Sequence, residues 1–202
     1  LYVSIQPADV PLHGLVLAGG RSARMGRDKA QLIYAERPQL QAAFELLRQV
    51  VSDCRVSVRA DQRDEPLRAG FPQVIDAIED IGPAAGLLAA HAQAPHAAWL
   101  ALACDLPLLD VPALESLIAG RGPHIAAVAF RSGHDALPEP LCAIWEPAAL
   151  QRLQAQVAAG RYGLRSALIG DDVRLLPLPS PQTLDNANTP EDHARMRHSK
   201  HA

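Results

Sequence analysis

Four cations crowd a short stretch behind two glycines: Arg21, Arg24, Arg27 and Lys29, after Gly19 and Gly20 in "LVLAGGRSARMGRDKA". No acid interrupts them before Asp28, so they would repel one another unless an anion joined them. The unpaired N–H groups of a glycine turn form an anion-binding concavity, and Ser22 adds a hydroxyl donor. Arg24, a planar fork, and Lys29, a point charge, suit phosphates. The plain alternative is a solvated basic turn. Two phosphate fingerprints are missing from the loop. It has no G-x-G-x-x-G, which disfavours a dinucleotide dehydrogenase, and no G-x-x-x-x-G-K-[ST].

A second kind of chemistry lies in carboxylates at the ends of apolar runs. "LALACDLPLL" delivers Asp105, with Pro107 behind it. Mg²⁺ takes one or two protein carboxylates and completes its shell with phosphate oxygens and water. Asp105 is therefore the candidate Mg²⁺ ligand beside the phosphates; a turn-initiating, capping aspartate is the alternative. In "VIDAIEDIGPAAG", Asp76 follows an apolar run and is placed to cap or to touch a ligand. Glu79 and Asp80 read as solvated acids, while Gly82 and Gly86 allow close approach at a helix start. In "LDNANTPEDH", Thr189 caps a helix, Pro190 suits its first position, and Glu191 and Asp192 complement its dipole. Capping leaves Asn186 and Asn188 unexplained, and their amides suit a metal-bound phosphate or a substrate edge.

The elements that must carry these groups alternate. Apolar runs at 14–17, 54–58, 73–75, 97–103, 125–130 and 141–145 read as strands. Leu40, Ala43, Phe44, Leu47 and Val51 recur at helical spacing, and helices follow at 82–94, 111–119 and 146–159. Gly120 and Gly160 read as helix stops. This alternation predicts a mostly parallel sheet with helices on both faces, whose ligands sit beyond the C-terminal strand ends. "RSGHDALPEP" at 131–140 breaks the rhythm, as a loop over the site or an excursion from the sheet. With no internal repeat or linker, the expectation is one domain over 1–202. An N-terminal extension at 1–12 and a basic tail at 196–202 are expected to be poorly ordered.

The bulk numbers restrict the partners. A net charge of −3 over 202 residues argues against bulk binding to nucleic acid or an anionic membrane, so the basic cluster is local. Aromatics are 4%, so Ala, Leu, Val and Ile must build the core. Cys54, Cys104 and Cys142 are dispersed and form no C-x-x-C pair, which fits a reducing cytoplasm. No run approaches the ~20 apolar residues of a membrane span, and no signal peptide opens the chain.

Together, "LVLAGGRSARMGRDKA", "GPAAG", "ACDLPLL", "EPLCAIW" and "NANTPED" resemble the molybdenum cofactor guanylyltransferases of the nucleotidyltransferase superfamily. "LAGG" and "NANTPED" carry the likeness toward the guanine branch. The resemblance implies a three-layer α/β/α Rossmann-like domain of the nucleotide-diphospho-sugar transferase type. It implies GMP transfer from GTP to the terminal phosphate of molybdopterin, with pyrophosphate release and a need for Mg²⁺. Leu17, Ala18, Gly19 and Gly20 would wrap the nucleotide with Ser22 and Arg59, and Lys29 would contact its phosphates. Asp76 matches the guanine-pocket acid, Asp105 the metal-binding aspartate, and Asn186 and Asn188 the pair on the molybdopterin side. Arg24, Lys29 and Asp105 would carry the catalysis. Proteins that mature molybdenum enzymes would be its further partners. Arg59 departs from an asparagine, and Glu139 from a histidine, common in the family. A molybdopterin cytidylyltransferase, a sugar-phosphate nucleotidylyltransferase and a non-catalytic nucleotide-binding module are the rival readings.

Overall fold

The computed structural model describes residues 10–19, 29–34 and 37–186. Residues 187–202, with the expected tail, and 1–9 lie outside the described residues. β1 (Leu12–Leu17) starts two residues before the expected run, and the Pro11 carbonyl already accepts from the Ala98 N–H at 2.9 Å. A two-residue ladder of β2 (Ile33–Tyr34) and β3 (Arg37–Pro38) leads into α1 (Gln39–Leu47). Then come β4 (Cys54–Val58), β5 (Gln73–Ile75), α2 (Pro83–Gln93), β6 (Ala98–Ala103) and α3 (Val111–Ala119). β7 (Ala127–Arg131), β8 (Pro138–Trp145), α4 (Pro147–Ala158), α5 (Leu164–Ala167) and β9 (Val173–Leu176) complete the order.

Seven strands form one sheet in the order β5-β4-β1-β6-β8-β7-β9. Every pairing is parallel except those of β8, which runs antiparallel to both neighbours. This is the expected mostly parallel α/β sheet. Side chains alternate between faces along a strand, and here both faces are covered. Leu15, Trp99 and Ala101 join the core under α2, α4 and α5, whereas Val16, Leu100 and Leu102 join the core under α1 and α3. Two covered faces explain why "AWLALA" is apolar throughout rather than alternating.

The scarcity of aromatics shapes the first of these cores. α2 buries Ala84, Ala85, Gly86, Ala89 and Ala90, small residues that let the helix lie close to the sheet. The bulk comes from Trp99 and Trp145, register partners on β6 and β8, both fully buried. Trp145 also donates from Nε1 to the Pro140 carbonyl at 3.2 Å.

The structure adds local detail to the sequence reading. The 131–140 stretch is the turn of a hairpin: Arg131 ends β7 and Pro138 begins β8, with 132–137 as the loop between them. β9 and α5 were not expected, because "VRLL" is short and only half-buried, and α5 is a single turn. Both expected glycine stops stand past their helices' ends, Gly160 left-handed at φ +75° and Gly120 right-handed at φ −74° directly after Ala119. Gly120 is small for a packing reason, since a Cβ there would stand 2.7 Å from Val128 Cγ1 on β7. Among the described residues, no helix is long and apolar enough to cross a membrane.

Candidate nucleotide site

Val74 on β5, Ser57 on β4, Leu17 on β1 and Ala103 on β6 form one register row across four parallel strands. Two residues beyond that row, each strand delivers a candidate from the sequence: Asp76, Arg59, Gly19 and Asp105. Parallel pairing thus converts four distant segments into one line at the C-terminal edge, where open α/β sheets hold ligands. The β7–β8 turn lies at the same edge, because β8 runs backwards.

A cleft of about 380 Å³ opens there, lined by Leu17, Gly19, Ser57, Arg59 and Asp76, with Glu79, Asp80 and Gly82 at the start of α2 and Ala103 and Leu141 across from them. Asp76 is its best-defined polar group. Its N–H donates to the Val58 carbonyl at 2.8 Å, continuing the β4–β5 ladder, and its Oδ1 accepts from Ser57 Oγ at 2.7 Å. Burial pushes the carboxyl up to about 6, against the opposing pull of the Ser57 hydrogen bond and the Arg59 charge. It is thus mostly ionised at neutral pH.

Two glycines make this arrangement possible by close approach. A Cβ on Gly86 would stand 2.1 Å from Ser57 Oγ, so only glycine lets α2 settle on the hydroxyl that holds Asp76. A Cβ on Gly19 would stand 2.8 Å from Asp76 Oδ2 and 3.6 Å from Arg59 Cγ. The space that this missing side chain leaves is bordered by the Asp76 carboxylate and by the backbone and stem of Arg59.

Arg59 lines the cleft and is tied to Asp61, with Nε donating to Oδ1 at 2.9 Å and Nη2 to Oδ2. Arg68 is fully buried. Its Nη2 donates to the Ala18 carbonyl at 2.9 Å and its Nη1 to Glu65 Oε2 at 3.1 Å, fixing the chain where it leaves β1. Neither Ser57 nor Arg68 stood out in the sequence. A serine in the apolar run "CRVSV" was the available signal for the first, but "DEPLRAG" reads as solvated and gives none for the second. Glu79 and Asp80 are exposed as expected, yet they stand at the cleft rim, with Asp80 at φ +61°.

The remaining candidates divide. Leu17 lines the cleft, while the Ala18 side chain points into the core under α1. Asp105 is 8% exposed, next to the cleft rather than in its lining. Its shielded carboxylate is a hard oxygen donor of the kind Mg²⁺ accepts. Among the described residues, no group of three His, Cys, Asp or Glu side chains could hold a metal unaided. Any Mg²⁺ there would draw its other ligands from the nucleotide and water. Asn186 is exposed and does not line this cleft. The backbone of Lys29 opens a short 3₁₀ turn, Lys29–Gln31. Its side chain, and Gly20, Ser22, Arg24 and Asn188, lie outside the described residues. Glu139 takes a hydrogen bond from Arg165 Nη2 at 3.3 Å, while Arg165 Nη1 donates to Asp135 at 2.7 Å, tying the β7–β8 turn to α5.

The MobA-like NTP transferase domain family matches residues 14–174 of this chain. A molybdenum cofactor biosynthesis bifunctional protein from Synechocystis sp. is 32% identical over 189 residues, 94% of this chain, and this chain spans only 54% of that relative's length. A molybdenum cofactor guanylyltransferase from Pseudomonas putida is 32% identical over 185 residues, covering 90% of this chain and 95% of the relative. The crystal structure of molybdopterin-guanine dinucleotide biosynthesis protein A from Archaeoglobus fulgidus shares the fold with a TM-score of 0.72. It is 22% identical, over 93% of this chain and 99% of that one. With the family's domain matched over most of its length and relatives of that function at about a third identity, the chain is a nucleotidyltransferase and belongs to the MobA-like NTP transferase domain family.

Proposed function

We propose that the chain transfers GMP from GTP to the terminal phosphate of molybdopterin, releasing pyrophosphate, in the cytoplasm. The observation that carries the choice of base is Asp76, a carboxylate held by Ser57 with its second oxygen turned to the space over Gly19. Guanine presents two adjacent donors, N1–H and N2–H, to such an acceptor, whereas adenine presents an acceptor at N1. The guanylyltransferase named from Pseudomonas putida, similar over most of both chains, supports the same substrate.

The reaction asks the protein for placement and charge. The acceptor's terminal phosphate is already an anion, so no serine or histidine base is needed to activate it. Lys29 and Arg24 neutralise the leaving pyrophosphate, as cations do at charge that develops in phosphate transfer. Leu17 and Gly19 hold the nucleotide against the strand edge, and Arg68 keeps the turn in position through the Ala18 carbonyl. Asp105 would hold Mg²⁺ with the nucleotide phosphates, where the ion supplies charge neutralisation at the α-phosphate. Asn186 and Asn188 serve the molybdopterin side.

The test is equilibrium binding of GTP, CTP and ATP with and without Mg²⁺, followed by pyrophosphate release on adding molybdopterin. A GTP preference strengthened by Mg²⁺, with release dependent on molybdopterin, is expected. A CTP preference transfers the assignment to cytidylyl transfer. Tight binding without release leaves a nucleotide-binding module.

A further inference from the structure

We infer that Arg59 is a second base-reading group, donating to O6 and N7 of guanine while Asp76 accepts from N1–H and N2–H. The inference rests on the guanine reading above and adds a residue to it. Its basis is the common space over Gly19, which Asp76 Oδ2 and Arg59 Cγ both border, at 2.8 and 3.6 Å from the position of a Cβ. Both side chains line the same cleft. Asp76 commits Oδ1 to Ser57, and Oδ2 is the oxygen that borders this space.

Arg59 is held from one side. Asp61 grips one edge of the guanidinium through Nε and Nη2. Among the described residues, Nη1 has no hydrogen-bond partner, so the far end of the fork keeps donors to spare. A guanidinium presenting two donors is the usual partner of guanine O6 and N7. Guanine places its donors and acceptors on adjoining edges, so one carboxylate and one guanidinium at neighbouring positions read both. Adenine fails at both, since its N6 amino group would face the cation and its N1 would face the carboxylate. Asp61 is then a positioning residue, holding the fork without touching the base.

The test compares binding of GTP and 7-deaza-GTP, which lacks only the N7 acceptor, to the wild-type protein and to Arg59→Met, Asp61→Asn and Asp76→Asn. Wild type is expected to bind 7-deaza-GTP about tenfold more weakly than GTP. Arg59→Met is expected to lose about tenfold or more for GTP and to bind the two nucleotides alike. Asp61→Asn should lose less and keep part of the discrimination. The wild-type comparison needs no variant, so a folding defect cannot mask the result. Equal binding of both nucleotides by wild type, or an undiminished ratio in Arg59→Met, overturns the role of Arg59. If wild type prefers GTP over ATP and CTP and Asp76→Asn removes that preference, the guanine reading survives such a failure. If wild type shows no preference for GTP, both fall together.

Discussion

Gly19 and Asp76, 57 positions apart in sequence, compete for one volume: a Cβ on Gly19 would stand 2.8 Å from Asp76 Oδ2. Gly19→Ala is therefore expected to displace the carboxylate rather than the strand, because the obstructed atom ends a side chain. Losing a charge-assisted hydrogen bond to the base costs about 1.5–3 kcal/mol, roughly ten- to a hundredfold in GTP affinity. Isothermal titration reads the loss, and a melting curve close to wild type shows that the fold is kept. Undiminished GTP binding by the alanine variant would remove this explanation for the glycine.

Asp76 also links pH to stability and to binding, with opposite signs. Folding raises its carboxyl from 3.8 to about 6, chiefly by burial. Such a group favours the native state below its ordinary value, and that contribution is lost as pH rises through about 6. Above pH 6, Asp76→Asn should melt at a higher temperature than wild type, and the gain should shrink as pH falls toward 3.8. The penalty it relieves is on the order of 1–3 kcal/mol. GTP binding by wild type should weaken as pH drops below about 6, while the asparagine variant stays weak and flat. A melting difference that does not change with pH would show that the carboxylate is not the source.

Lys29→Ala is expected to lower turnover at least about tenfold, as removal of a group that stabilises transferred charge does. Asp105→Ala should abolish Mg²⁺-dependent activity and keep the circular-dichroism spectrum of wild type. Pyrophosphate release under saturating GTP, Mg²⁺ and molybdopterin measures both. Near-normal turnover in either variant takes that residue out of the mechanism.

The opposite edge of the sheet offers a control unrelated to the site. Arg121 donates to Glu146 from Nε at 2.6 Å and from Nη2 at 3.1 Å, and both side chains are about 10% exposed. Arg121 Nη2 also donates to the Val10 carbonyl, joining the chain ahead of β1 to the start of α4. Arg121→Ala leaves a shielded carboxylate uncompensated, which costs about 3–5 kcal/mol. Urea unfolding should show that loss with GTP affinity unchanged. A loss under about 1 kcal/mol would mark the pair as surface-like.

The strands that hold the site were legible because burial on both faces makes them continuous apolar runs, as at 98–103. Asp76 and Asp105 were legible because each ends such a run. What the sequence hid was depth. Arg68 belongs to a segment of charge, Pro and Gly, and only its packing against the end of β1 makes it fully buried. Ser57 is packed against Gly86, 29 positions later, a contact that no local pattern encodes. β9 is short and half-buried at the sheet edge, so its residues lack a strong period.

The row from Val74 through Ser57 and Leu17 to Ala103 has a consequence for how such a site can change. Each candidate residue is set by phase: it stands two residues past a shared line. Inserting a single residue before Asp76 or Asp105 would leave the core side chains seated and turn the carboxylate toward the opposite helical layer. Adding two would restore its direction and carry it outward. The length of each of these connections thus sets the direction of its carboxylate as well as its reach.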